Sequence, residues 1–142
     1  MKKLFLLPFL SLMVSCRAFH NETYTERFQR MEVRVTTYWK SSDRWTSRGL
    51  TSTGGKLQHM KTCAVDPKTI PYGSKIELCT NPPLLLAAND TGSAVKSRKA
   101  AKKMGKDVPV VDVFFNTIRQ AKQFIKDNPY FVEAKIYDSR NL

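Results

Sequence analysis

Between residues 31 and 137 the apolar residues of this chain fall into six short runs, none longer than nine residues, and that brevity most constrains its fold. Runs of about four to eight residues bounded by turn formers suit strands, whereas helices need about ten or more. Residues 31–39 (MEVRVTTYW) alternate Val33, Val35, Thr37 and Trp39 with Arg34, Thr36 and Tyr38, a period of two. Residues 131–137 (FVEAKIY) do the same, with Val132, Ala134 and Ile136 on one side. Further strands are predicted at 61–65, 74–80, 84–88 and 110–115. Turn chemistry separates them at LTSTGG (50–55), Asp66-Pro67, Ile70-Pro71-Tyr72-Gly73 and Asn81-Pro82-Pro83. Helical spacing is found over 117–127, where Ile118, Ala121, Phe124 and Ile125 recur at three and four, with Asn116 or Thr117 to cap and Asn128-Pro129 to stop. That stripe reads as core contact. A weaker helical patch, 96–104, ends at Gly105. No repeat is visible, and the pattern predicts an all-β fold: a small closed barrel of six strands with one or two short helices.

One apolar run stands outside this pattern. Residues 4–14 follow Lys2 and Lys3 and precede small residues, the order of a secretory leader, and eleven residues are too few to cross a bilayer as a helix. The leader is expected over 1–18, cut after Ala18, or before Cys16 if Met13-Val14-Ser15-Cys16 acts as a lipobox. Residues 19–30 read as a polar linker and 31–142 as the domain. The chain is therefore expected to be exported: periplasmic, secreted or lipid-anchored at the outer membrane. A chain of 142 residues has no room for a second large core. Its 42% hydrophobic content is too high for a disordered tail despite a formal charge of +12. In an oxidising compartment Cys63 and Cys79, sixteen positions apart, are expected to pair as a disulfide contributing about 3 kcal/mol. A metal pair would need further Cys or His ligands, and only His59 is near, so no metal is expected.

The chemistry has few candidates, since no serine elbow, phosphate loop or zinc-binding helix motif occurs. Three carboxylates lie at or in apolar strands: Asp66 in CAVDPKTIPYG, Asp90 in LLLAANDTGSA and Asp112 in VPVVDVFF. Partial desolvation between Val111 and Val113 would raise the pKa of Asp112 and suit it to general acid work. Alternation could equally turn it to water as an ordinary strand residue. Asp90, ahead of Thr91-Gly92, could accept hydrogen bonds from its own turn, or form half of an aspartic protease dyad that dimerisation would complete.

The succession VTTYW, LTSTGG, AVDPKTIPYGSKI, ANDTGSAVK, VDVFF, QAKQF and EAKIY, over about 33–137, resembles the three-aspartate domain family. That fold is a double-psi β-barrel similar to the C-terminal part of membrane-bound lytic transglycosylase A, and more distantly to the rare-lipoprotein-A barrels. The resemblance implies peptidoglycan glycan strands as substrate, 1,6-anhydromuramyl products, Asp112 as the catalytic acid, Asp90 as its neighbour and Asp66 in support. It also implies that Thr53, Gly54, Thr91, Gly92 and Lys96 contact sugar, with Tyr38 as a stacking surface; Trp39 is read as core. An internal hydroxyl nucleophile needs one recycled acid rather than two carboxylates, and no cofactor. The chain departs from the family in a longer link from Asp90 to Asp112, in Ser93 where a second glycine is usual, and in lacking a His near Asp66. The link is rich in bases: Lys96, Arg98, Lys99, Lys102, Lys103 and Lys106. Carboxylates of glycan-strand peptides, teichoic-type polymers or anionic lipid are its expected partners, nucleic acid is not, and a monomer is expected. A non-catalytic wall-binding module on the same barrel is the alternative function.

Overall fold

The computed structural model describes residues 27–41, 44, 46–138 and 140. The expected leader, its cleavage site and Cys16 lie outside the described residues. Six strands, β1 (Gln29–Trp39), β2 (Thr62–Ala64), β3 (Lys75–Leu78), β4 (Leu84–Asp90), β5 (Val110–Phe115) and β6 (Phe131–Tyr137), close into a barrel in the order β1-β5-β2-β4-β3-β6. The long first strand makes closure possible. Its first half, from Gln29 to Arg34, runs antiparallel to β6, and its second half, from Arg34 to Trp39, runs parallel to β5. Each strand thus has two partners and the barrel has no open edge. Gln29 and Arg30, expected in the linker, belong to this strand because Ile136 and Lys135 are there to pair with them.

Alternation fills the interior. Val33, Val35, Cys63, Val65, Ile76, Leu78, Leu86, Ala88, Val111, Val113, Phe115, Val132, Ala134 and Ile136 form one core, with Trp39 packed against it as expected. Burying side chains such as Phe115 and Leu78 contributes about 1.5–3 kcal/mol each relative to exposure. Helix α3 (Ile118–Asp127) starts where Thr117 Oγ1 accepts from the Gln120 amide at 3.3 Å. Asn128 Nδ2 donates to the Phe124 carbonyl at 3.0 Å where it ends. Ala121 is fully buried and Phe124 packs on the core, but Ile118 is 43% exposed. Its turn does not reach the barrel, so the predicted core stripe is shorter than its spacing implied.

The second helical patch is two single turns, α1 (Ser93–Lys96) and α2 (Lys99–Lys102). Arg98 separates them at φ 55°, its guanidinium held by Asp107 Oδ1 at 3.2 Å and Thr69 Oγ1 at 3.3 Å. The break lets Val95 and Ala101 both face the barrel. With Ala64 and Val110 they make a second, smaller cluster on its outer surface, lined by Tyr38, Val108 and Phe131.

The expected Cys63–Cys79 disulfide is not formed: both thiols are free. Cys63 points into the core and is fully buried, whereas Cys79 is exposed beyond the end of β3. Strand β4 lies between the two, with Cys63 level with Ala88 and Leu78 level with Leu84. Cys79 follows Leu78, so two strand spacings and five residues of rise put the Cα atoms roughly 19 Å apart, beyond the ~7 Å a disulfide spans. No helix among the described residues is long and apolar enough to cross a membrane.

Candidate functional site

A row of side chains crosses four neighbouring strands at one level. Thr36 on β1 pairs with Asp112 on β5, Asp112 with Ala64 on β2, and Ala64 with Asp90 on β4. Val111 and Val113 on either side of Asp112, and Cys63 and Val65 on either side of Ala64, all point inward. Asp112 and Ala64 therefore face out of the barrel. Asp90 joins them by an irregularity. Simple alternation along β4 would group it with buried Leu86 and Ala88, but the register shifts between Cys63 and Ala64. Cys63 pairs with Ala88 and Ala64 with Asp90, skipping Asn89, and such a bulge re-aims the residue it displaces. Two carboxylates thus flank one methyl group, and the small side chain of Ala64 leaves the space above it open.

That space is a groove of about 830 Å³. Ala64, Asp90 and Asp112 form its floor, Tyr38 and the segment from Thr46 to Ser52 one wall, and Gly92 to Lys96, where α1 begins, the other. The volume lies within the ~300–1,000 Å³ of small-ligand sites. Among the described residues no group of three or more His, Cys, Asp or Glu side chains could hold a metal.

The two aspartates are held differently. Asp90 is 8% exposed, and three donors converge on it: Tyr38 Oη at 2.7 Å on Oδ2, and the amides of Ser52 at 2.8 Å and Thr91 at 2.9 Å on Oδ1. Asp112 accepts at Oδ1 from Thr36 Oγ1, at 2.7 Å. Burial pushes the Asp112 carboxyl up to about 6; the Thr36 hydrogen bond opposes that shift and the charge on Asp90 adds to it. Burial, followed by the bond and charge of Asp90, also holds the Tyr38 hydroxyl well above the usual tyrosine range, so it remains a donor.

The predicted residues therefore separate. Asp90, Asp112, Tyr38, Thr91, Gly92 and Lys96 meet in the groove. Tyr38 does more than offer a ring, since its hydroxyl fastens Asp90 across the groove and its ring packs edge-on against Phe114 at 5.3 Å. Thr91 turns its hydroxyl away, donating to the Val65 carbonyl at 2.7 Å. Asp66 does not line the groove; it closes a turn by accepting from the Lys68 amide at 3.1 Å. Thr53 and Gly54 stand outside as well, because the turn that contains them folds back on β4: Thr53 Oγ1 donates to the Asn89 carbonyl at 2.7 Å, and Gly54 takes φ 88°. Leu50, Thr51 and Ser52 line the groove instead. Sequence reasoning missed Thr36 and the Ser52 amide. The first was legible as a polar residue on the outward face of β1, whereas the second depends on a backbone orientation that no residue type encodes.

No known protein family and no curated protein matches the sequence. Among solved structures the chain is similar to MltA from E. coli, at 16% sequence identity and a TM-score of 0.43, over 61% of this chain and 26% of that one. The chain thus spans about a quarter of the length of that protein.

Proposed function

We propose that this protein belongs to the three-aspartate domain family and cleaves peptidoglycan glycan strands as a lytic transglycosylase, with Asp112 as its single acid and base. The observation that carries the reading is a carboxyl raised to about 6 that opens into a groove beside a second, firmly held carboxylate. A protonated fraction of Asp112 persists near neutral pH, as a general acid requires. Asp112 gives its proton to the bridging oxygen between N-acetylmuramic acid and N-acetylglucosamine as the bond to C1 of the muramyl residue breaks. The carboxylate so formed then takes the proton of the muramyl 6-hydroxyl as that oxygen bonds to C1, closing a 1,6-anhydro ring and restoring the acid. Asp90 serves as a fixed negative charge that keeps the Asp112 proton in place and stabilises positive charge developing at C1. Thr36 holds Asp112 in position, and Tyr38 with the Ser52 and Thr91 amides holds Asp90. Peptidoglycan lies outside the cytoplasm, so the reading agrees with an exported chain, periplasmic, secreted or anchored at the outer membrane.

Mass spectrometry of the soluble products released from sacculi by residues 19–142, beside the Asp112→Asn variant, tests this. Anhydro-muropeptides from the unsubstituted chain only are expected. Reducing-end products would replace the one-acid route with hydrolysis. Sedimentation with sacculi and no product would leave a wall-binding module.

A further inference from the structure

Residues 91–106 carry six bases and no acid, and the structure divides those bases into two sets. Arg98 is fastened to Asp107, and Lys106 to Glu32 at 2.7 Å with its ammonium 4.4 Å from the centre of the Phe131 ring. Arg98 thus ties the junction of the helices to Asp107 and Thr69, and Lys106 ties the segment after them to β1. Lys96, Lys99, Lys102 and Lys103 are exposed, and none takes part in the ion pairs of the described residues. Lys99, Lys102 and Lys103 share the face of α2 opposite the fully buried Ala101, at the spacing that makes side chains neighbours on a helix. Like charges placed so destabilise a helix, and an anion lying across them would relieve the repulsion. Lys96 links this face to the groove: it is the last residue of α1 and lines the groove wall, one position beyond the buried Val95.

We infer that the outer face of α1 and α2 binds carboxylates carried by the polymer seated in the groove, the free acids of its peptide side chains, so that the site takes peptide-bearing glycan in preference to bare glycan. The inference rests on reading the groove as a glycan site. Continuity decides the occupant, because one short helix supplies both a groove wall and the first lysine of the row. Anions borne by the bound strand reach the row without a second ligand, and four exposed cations reward them even though each exposed pair is weak.

The test is sedimentation of the Asp112→Asn chain, which leaves the polymer intact, with sacculi and with glycan strands stripped of peptide by an amidase. Peptide-bearing glycan should bind about tenfold more tightly, a difference built from several weak exposed pairs and screened out by roughly 0.3 M salt. Changing Lys99, Lys102 and Lys103 together to Ser, with the groove residue Lys96 kept, should abolish the preference without altering binding to stripped strands. Changing the same three to Arg should keep it. Sacculi freed of phosphate polymers by acid should bind as before. A preference that survives the Ser substitutions or disappears with the phosphate polymers overturns the inference, and so does a failure to bind either glycan. The product assay on the unsubstituted chain separates the two readings: no anhydro product with the preference intact leaves a binding surface without the proposed reaction, and product without the preference leaves the reaction without this surface.

Discussion

Inside the barrel, Cys63 sits among valines, leucines and Phe115; one residue along the same strand, outside, Ala64 sits between two carboxylates. The interior is filled by side chains, as in any barrel this narrow, and has no room for a ligand. Its one titratable group in β2, the Cys63 thiol, is pushed up by burial and stays neutral. On the outer face the small cluster of Ala64, Val95, Ala101 and Val110 suffices to set two short helices as a wall and to dry the groove floor enough to shift Asp112. In this small barrel the candidate site therefore lies on the outside, where added turns of chain supply the burial that the sheet alone lacks.

The sharpest test of this contrast is Asp112→Asn, which should lower turnover by about 10²–10⁴ while making the protein more stable near pH 7. The raised pKa means that the folded chain keeps a proton which the unfolded chain releases between about pH 4 and 6, so stability falls as pH rises through that window. Asn removes the penalty. Denaturant melts at pH 7 should show a gain of roughly 1–3 kcal/mol that fades towards pH 4. A loss of stability at pH 7 would return Asp112 to the structural residues. In the unsubstituted chain kcat/KM should decline as pH rises through about 6.

The opposite behaviour is expected inside. Phe115→Ala should cost about 3–5 kcal/mol in the same melts, with activity falling only as the folded fraction falls. Tyr38→Phe lies between the two regions. It strips one donor from Asp90 and should cost about 1–2 kcal/mol, with a partial loss of turnover that the core variant lacks when both are compared fully folded. The smallest effect separates the two cysteines. In a Cys16→Ser chain a thiol reagent should add one label to the native protein, at Cys79, and a second only in denaturant. Two unreactive thiols in the native, unreduced protein would restore the disulfide.

Much of this was legible beforehand. Short apolar runs between turn formers, two of them with period-two alternation, located all six strands, Thr117 and Asn128-Pro129 bounded α3, and an acid within VVDVFF marked Asp112, because these signals lie within a few residues of one another. Asp90 was legible as a residue, but only the family resemblance, and no local pattern, implied that it neighbours Asp112. Alternation alone turns it towards the interior, and only the bulge opposite Cys63 and Ala64 sets it beside Asp112. The same limit hid Thr36, which reaches Asp112 through a strand pairing between positions 76 residues apart. It also made Cys63 and Cys79 look like partners, since proximity in the chain says nothing about the strand that separates them.

By itself the sequence determined the strands, the all-β class, the main helix and the residue types available for chemistry, all of which follow from local periodicity and local capping. Tertiary structure alone decided which side chains meet: the row from Thr36 to Asp90, the split of α1 from α2 at Arg98, and the division of the bases into paired and exposed. Register between distant strands, and the burial it creates, is a property of the closed barrel and has no counterpart along the chain.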